Sequence, residues 1–280
     1  MDFFHALATY GFLQRAAVAA VLTGIVCGIV GTYMVARRMV FLGGGITHAS
    51  FGGIGIAYYL GLNPLLGALV FAVLSALGIE WGTARGRIRE DSAIGMVWSF
   101  GMAVGIIFIY LTPGYAPNLM GFLFGNILTV TAADLWALGG LVAVTAAVAL
   151  LAYRNVMYVA FDRAFARSRG VPVMAVSCAM AVLVALSIVC CIRSVGIVLL
   201  IALLTVPAAI VNGLTRSFSR IALWSSVVAV VGNCFGLWLS YRFDIPAGAA
   251  TIFLLALTLI VIKLLPLCGP KRAPRSEDDR

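Results

Sequence analysis

Charge is what this chain has least of. Only 10% of its 280 residues are Asp, Glu, Lys or Arg, against about 25% in a soluble domain. Carboxylates are confined almost entirely to loops and segment ends, which argues against an intramembrane protease or a proton pump. Glu80 falls inside an apolar segment, but only about a turn from an arginine-rich loop, and reads as a snorkelling, Arg-paired side chain. No GxxxxGK[ST] loop is present to cradle a nucleotide. HExxH and GxSxG are absent too, so no hydrolytic site is visible. Six cysteines (Cys27, Cys178, Cys190, Cys191, Cys234, Cys268) stand singly or as one adjacent pair without CxxC spacing. That excludes a zinc knuckle and gives no support to a disulfide framework.

What the chain has in excess is apolar surface: 63% of residues are hydrophobic and the mean hydropathy is +1.10. Hydrocarbon offers the backbone no hydrogen-bond partner, so spans are helices or a closed barrel. Long unbroken apolar runs select helices. Nine hydrophobic segments are predicted, at about 12–36, 41–61, 64–83, 92–112, 131–153, 173–192, 195–214, 219–240 and 246–267. The fold class is an all-α polytopic membrane protein with eight or nine transmembrane helices. The count is softest at 195–214, where Pro207 removes a helix donor and can kink or split the segment.

The net charge of +9 does not indicate nucleic acid, because the basic residues cluster in short loops between spans. Placing the loop after the first span in the cytoplasm leaves only Arg15, Arg193 and Arg242 of the 19 basic residues on the other side. By the positive-inside rule the N-terminus is outside and the C-terminus cytoplasmic. Residues 1–9 are too short for a signal peptide and carry no basic n-region. Segment 119–127 is too short to span and reads as re-entrant or interfacial. Residues 1–268 form the transmembrane domain, and 269–280 a polar, disordered cytoplasmic tail.

The one sizeable cytoplasmic insertion is 154–171. Tyr158, Phe161 and Phe165 share one face of a predicted helix, with Arg163, Arg167 and Arg169 elsewhere. Such a helix either lies on lipid or docks a cytoplasmic partner. The other stretch of interest is 41–61, FLGGGITHASFGGIGIAYYLG, which holds seven glycines and one of the chain's two histidines. His48 lies ten residues beyond Arg38, or roughly 15 Å along a helix, near the middle of a core about 30 Å thick. An ionisable side chain at that depth faces a cavity or the bundle interior. Gly44, Gly45, Gly52 and Gly55 share its face. They permit either close approach of another helix or a small space beside the imidazole.

These stretches resemble the membrane permeases of ABC importers for zinc, manganese and iron. Segment 41–61 is similar to a family pattern of the form FLGDAISHAxLPGIAxAxLLG. EDSAIGMVWS at 90–99 resembles EDTAIGxxFS, and FLFGNILTVTAADL at 122–135 resembles FLFGSILxVSxxDL. AFDRAFARSRGVPV at 160–173 resembles FDxxxAxxxGLP, with Asp162, Ala166 and Gly170 in register. VGIVLLIALLTVPAA at 195–209 and LSYRFDIPAGA at 239–249 have counterparts in the same order.

The resemblance implies a multi-pass protein of the bacterial plasma (inner) membrane, with no enzymatic site and no bound cofactor. It also implies a transported divalent metal (zinc, manganese or iron) or metal complex. The implied partners are a second permease copy, cytoplasmic ABC ATPase subunits and an extracytoplasmic metal-binding protein. The helix at 154–171 becomes the ATPase coupling element, carried by Phe161, Asp162, Phe165, Ala166 and Gly170. His48 becomes a metal-contacting residue of the translocation path, lined by Gly44, Gly45, Thr47, Gly52 and Gly55. In the family an aspartate stands four residues before this histidine, so that both reach one cation. Here that position is Gly44. Asn212, Asn233, Met34 and Cys234 are candidates to replace the missing ligand. The alternative class is a gradient-driven secondary transporter or channel for a small cation, which would need no coupling helix.

Overall fold

The computed structural model describes residues 3–84, 86, 88–113, 125 and 127–264. The expected segment 119–127 falls largely outside them, and the tail at 269–280 entirely so. A short α1 (Phe3–Thr9) leads into α2 (Gly11–Ala36), α3 (Val40–Tyr59), α4 (Pro64–Ala84) and α5 (Glu90–Leu111). After a 3-10 turn at Ile127–Thr129 come α6 (Ala132–Leu151), α7 (Tyr153–Phe161) and α8 (Arg163–Ser168). The chain then forms α9 (Val173–Asn212), α10 (Phe218–Phe243) and α11 (Ala247–Leu264). Among the described residues, eight of these helices are long and apolar enough to cross a membrane.

α9 has 40 residues, which as a straight helix would be about 60 Å long, twice a bilayer core. It is not straight. Met180 and Leu183 line one cleft together with Val30 and Tyr33 of α2. Leu204, more than twenty residues later, lies with its carbonyl against Gly31 of the same helix. Both parts of α9 therefore reach the same level of α2, and the chain reverses between them. The reversal is at Gly196, whose φ of 76° and ψ of 168° are not helical and belong to a region essentially reserved for glycine. The backbone of Gly125 packs on it.

The two limbs of α9 correspond to the separate segments expected at 173–192 and 195–214. The break is not at Pro207, which stays inside the helix. Bundle interiors tolerate proline where neighbouring helices and Ser/Thr side chains satisfy freed backbone groups. Pro207 is buried and the helix runs on through it to Asn212.

Small residues set the packing. α2 and α10 run antiparallel, with Ala20 opposite Asn233, Gly24 opposite Val230 and Gly28 opposite Ser226. Asn233 donates its side-chain amide to the Ala20 carbonyl (3.0 Å) and to Thr23 (3.3 Å). Its role is to join two helices.

Charged pairs mark the two ends of the bundle. At one end Arg193 of α9 meets Asp134 of α6 at 3.1 Å. Asp134 also completes a capping box with Thr131 at the start of α6. At the other, basic end Glu80 is 1% exposed and bonds Arg37 (2.7 Å) and Arg163 (2.8 Å). Glu80 is thus Arg-paired as expected, but it does not snorkel. Its partners come from the end of α2 and from α8, so burial between helices is compensated by two charged donors.

The expected single helix over 154–171 is two. Asp162, extended at φ −151° and ψ 106°, ends α7 and caps α8 by accepting from the amides of Ala164 and Phe165. An Asx cap offers the backbone a better local partner than continuing the helix. Tyr158 and Phe165 still meet edge to face at 5.4 Å. Phe161 turns instead toward Phe218 of α10.

Replacing Gly196 with Ala is expected to destabilise the protein by about 1–3 kcal/mol, because a Cβ cannot relax in that conformation. Pro207→Ala is expected to leave stability unchanged or raised. Heat-induced aggregation midpoints in detergent compare the two. A Gly196→Ala protein as robust as the unsubstituted chain contradicts the assigned turn.

Candidate functional site

α3 and α5 run parallel and in register. Gly45 faces Ile94, Gly52 faces the backbone of Gly101, and Gly55 faces that of Gly105. A Cβ added at Gly52 would lie 2.8 Å from the Gly101 carbonyl oxygen. On the flank of α3, Gly53 packs against Gly67 of α4. Of the two uses open to a glycine stripe, this one is close helix approach. Gly45, Gly52 and Gly55 are filled by α5 and do not line a space. Thr47 is fully buried and donates to the Gly43 carbonyl within its own helix. Within this chain all four are packed between or along helices. Gly44 differs, since a Cβ there would meet only the Ile201 methyl, at an ordinary 3.8 Å.

His48 lies on the same seam but reaches its half-exposed edge. Its imidazole stacks on the indole of Trp98, with ring centroids 4.5 Å apart and planes 3° from parallel. Trp98 is 37% exposed. His48 is the ninth residue of α3 and Trp98 the ninth of α5, so the parallel register brings them level. Stacking occupies one face of the imidazole and fixes its plane. Neither ring nitrogen forms a hydrogen bond to a described residue.

Trp98 was not among the expected site residues. Its signal was present in EDSAIGMVWS, where the similar pattern has Phe at that position. None of the proposed replacement ligands stands beside His48. Met34 is buried with its methyl against Gly43, Asn233 is engaged with α2, and Asn212 is the exposed last residue of α9. Cys234 is on α10, one residue from Asn233. Among the described residues no group of three or more His, Cys, Asp or Glu side chains gathers to hold a metal.

The other expected surface is at the basic end. Phe161 and Phe165 are exposed, as are Asp162 and Gly170. Ala166 is fully buried and anchors α8 to the bundle. Gly170, at φ 76°, ends α8 as a left-handed C-terminal glycine. A cleft of about 840 Å³ opens elsewhere, between α2, α6, α9 and α10. Its lining is mostly apolar, including Val21, Ile29, Leu150 and Leu223, with a few hydroxyls but no charged side chain, His or Cys.

A bundle of eight helices long and apolar enough to span a bilayer among the described residues, with charged clusters at its ends, is a polytopic membrane protein. More narrowly, residues 9–265 match the ABC 3 transport family, and the chain belongs to that family. It is 34% identical over 260 residues to the manganese transport system membrane protein MntC of Halalkalibacterium halodurans, covering 93% of this chain and 89% of that one. It is 32% identical over 269 residues to the chelated iron transport system membrane protein YfeD of Yersinia pestis, covering 95% and 90%. Among solved structures, PsaBC from Streptococcus pneumoniae in complex with Fab superposes with a TM-score of 0.82 at 31% identity, over 93% of this chain and 94% of that one.

Gly52→Ala is expected to destabilise the α3–α5 contact by about 1–3 kcal/mol, the usual effect of overpacking. Gly44→Ala is expected to be tolerated. Thermal stability of the two purified variants tests the assignment, and equal losses would refute it.

Proposed function

We propose that this chain is the membrane-spanning permease of an ATP-driven importer for a divalent metal ion (manganese, iron or zinc) or its complex. The observation that carries this reading is His48, a half-exposed imidazole with no hydrogen-bond partner among the described residues, deep within a transmembrane helix. A polar group left so in hydrocarbon is costly, whereas one beside a translocation path meets water or cargo. The relatives' manganese and chelated-iron names support the cargo class.

The edge of the α3–α5 seam where His48 and Trp98 emerge faces a second copy of this chain, and the path runs between the two. The basic end is cytoplasmic by the distribution of arginine, which places the N-terminus outside and the C-terminus inside. ATP is hydrolysed in separate subunits, in keeping with the absence of a phosphate loop from this sequence. Those subunits dock against Phe161, Asp162, Phe165 and Gly170. An extracytoplasmic metal-binding protein delivers the cargo at the opposite end.

Gly44 has space for a side chain and stands one turn before His48. A lone imidazole holds a cation weakly, as a conduit that must release its cargo requires. His48→Ala is expected to lower metal uptake by roughly tenfold or more, the scale on which disturbing a metal's ligand shells acts, with membrane levels unchanged. Gly44→Asp restores the carboxylate–histidine pair and is expected to tighten Mn²⁺ binding while slowing release. Uptake of radiolabelled Mn²⁺, Fe²⁺ and Zn²⁺ into cells carrying each variant provides the readout. Normal uptake of all three metals by His48→Ala would remove His48 from the path.

A further inference from the structure

Four elements converge on one buried ionic cluster at the basic end. Arg37, the C-cap of α2, directs Nη1 to the Tyr33 hydroxyl (2.9 Å) and to Glu80 Oε1 (2.7 Å). Its Nη2 reaches Glu90 Oε1 at 3.5 Å. The second oxygen of Glu80 accepts from Arg163 Nη2 at 2.8 Å. The side chains of Arg37 and Glu80 are 5% and 2% exposed, that of Arg163 33%. With both carboxylates ionised the cluster is neutral, and each Glu80 oxygen has its own guanidinium partner. Such an arrangement is stiff, because moving one member strands a buried charge.

Its placement gives that stiffness a use. Arg163 opens α8, the helix that carries Phe165 and follows Asp162. Glu90 is the first residue of α5, the helix that bears Trp98. Arg37 leads through Arg38, held in the left-handed region at φ 59°, into α3, which bears His48. His48 and Trp98 each lie eight residues beyond the start of their helices, about 12 Å along each. The cluster therefore touches the docking segment on one side and, on the other, the beginnings of both helices that make the His48–Trp98 stack.

The geometry points to Glu80 as a relay: through Arg163 it ties the cytoplasmic docking segment to Arg37 and Glu90, and so moves α3 and α5 together when the ATPase moves α8. Glu80, Arg37 and Arg163 are positioning residues and touch no cargo. This relay rests on the importer reading above, and deepens it by naming the route from docking surface to path. Since α3 and α5 are locked along their glycine seam, a displacement at the shared base shifts both rings of the stack.

The test uses the whole complex of permease, ATPase subunits and binding protein in proteoliposomes, with Mn²⁺ as cargo. In Arg163→Gln the Arg37–Glu80 pair survives, so folding is preserved. The ATPase subunit is expected to co-purify normally and ATP hydrolysis to continue. Stimulation by metal-loaded binding protein is expected to vanish, and Mn²⁺ transported per ATP to fall about tenfold, within the usual range of coupling between sites. Arg163→Lys should recover part of that ratio. Glu80→Gln should reproduce the uncoupling wherever it assembles. A wild-type ratio of metal to ATP in Arg163→Gln, with or without lower thermal stability, overturns the relay and leaves the importer reading intact. Loss of the ATPase subunit from Arg163→Gln also overturns it, since Arg163 would then be a docking residue. Absence of ATP-driven uptake by the unsubstituted complex overturns both.

Discussion

The bundle depends on backbone touching backbone along α3. In a bilayer, apolar side chains gain little by leaving lipid for one another, so association of helices rests on close packing and polar contacts. α3 meets that requirement on two sides at once. Gly45, Gly52 and Gly55 admit α5, and Gly53 meets Gly67 of α4. A Cβ at most of these positions would hold the helices apart, and the His48–Trp98 stack exists only because the parallel register of the seam is kept. The glycines that seemed to make room for a cargo instead remove room between helices, and so define where the histidine can stand.

Polar groups are distributed by the same constraint. Charged pairs sit at the two ends of the bundle, Asp134–Arg193 at one and the Arg37–Glu80–Arg163 cluster at the other. Between them the buried hydroxyls of Thr23, Thr32, Thr47, Thr145 and Ser187 are spent on carbonyls of their own helices. Asn233 is satisfied on its donor side by α2. His48 stands apart from all of these, since it is neither paired, back-bonded nor fully enclosed. Among the described residues Ser177, Ser225 and the side-chain oxygen of Asn233 are buried without a partner, so what distinguishes His48 is its stacking and its partial exposure.

Much of this was legible in the residues, and the exceptions share a cause. Periodicity and hydropathy located the spans to within a few residues, because hydrocarbon allows few alternatives. The split near 193–195 was visible as two apolar runs, yet the proline drew suspicion that belonged to the glycine. A proline's missing donor matters less in a packed helix than a glycine's freedom to take φ 76°. The segment at 154–171 kept its amphipathic character but not its continuity, because Asp162 serves as a cap. The partners of Glu80 were unreadable, since Arg37 lies 43 residues away and Arg163 lies 83. No local pattern encodes a contact that depends on how helices assemble. Trp98 was hidden for the same reason, as only the parallel register of α3 and α5 brings it level with His48.

The lone imidazole then takes on a definite physical character. On the importer reading, a carboxylate one turn away would give a cation two ligands and a deep well, whereas with Gly44 in that place it meets one. On the proposed reading the stack replaces what the carboxylate supplied in orientation but not in affinity. Trp98 fixes the plane of the ring, so the imidazole is oriented without being held by a charge. On that reading a passing cation meets a donor that binds it only briefly, and selectivity shifts from this residue to whatever delivers the cargo. Conduction needs binding strong enough to admit an ion and weak enough to let it leave. If His48 lines the path as proposed, an oriented, unassisted histidine on a glycine seam satisfies both conditions with one side chain.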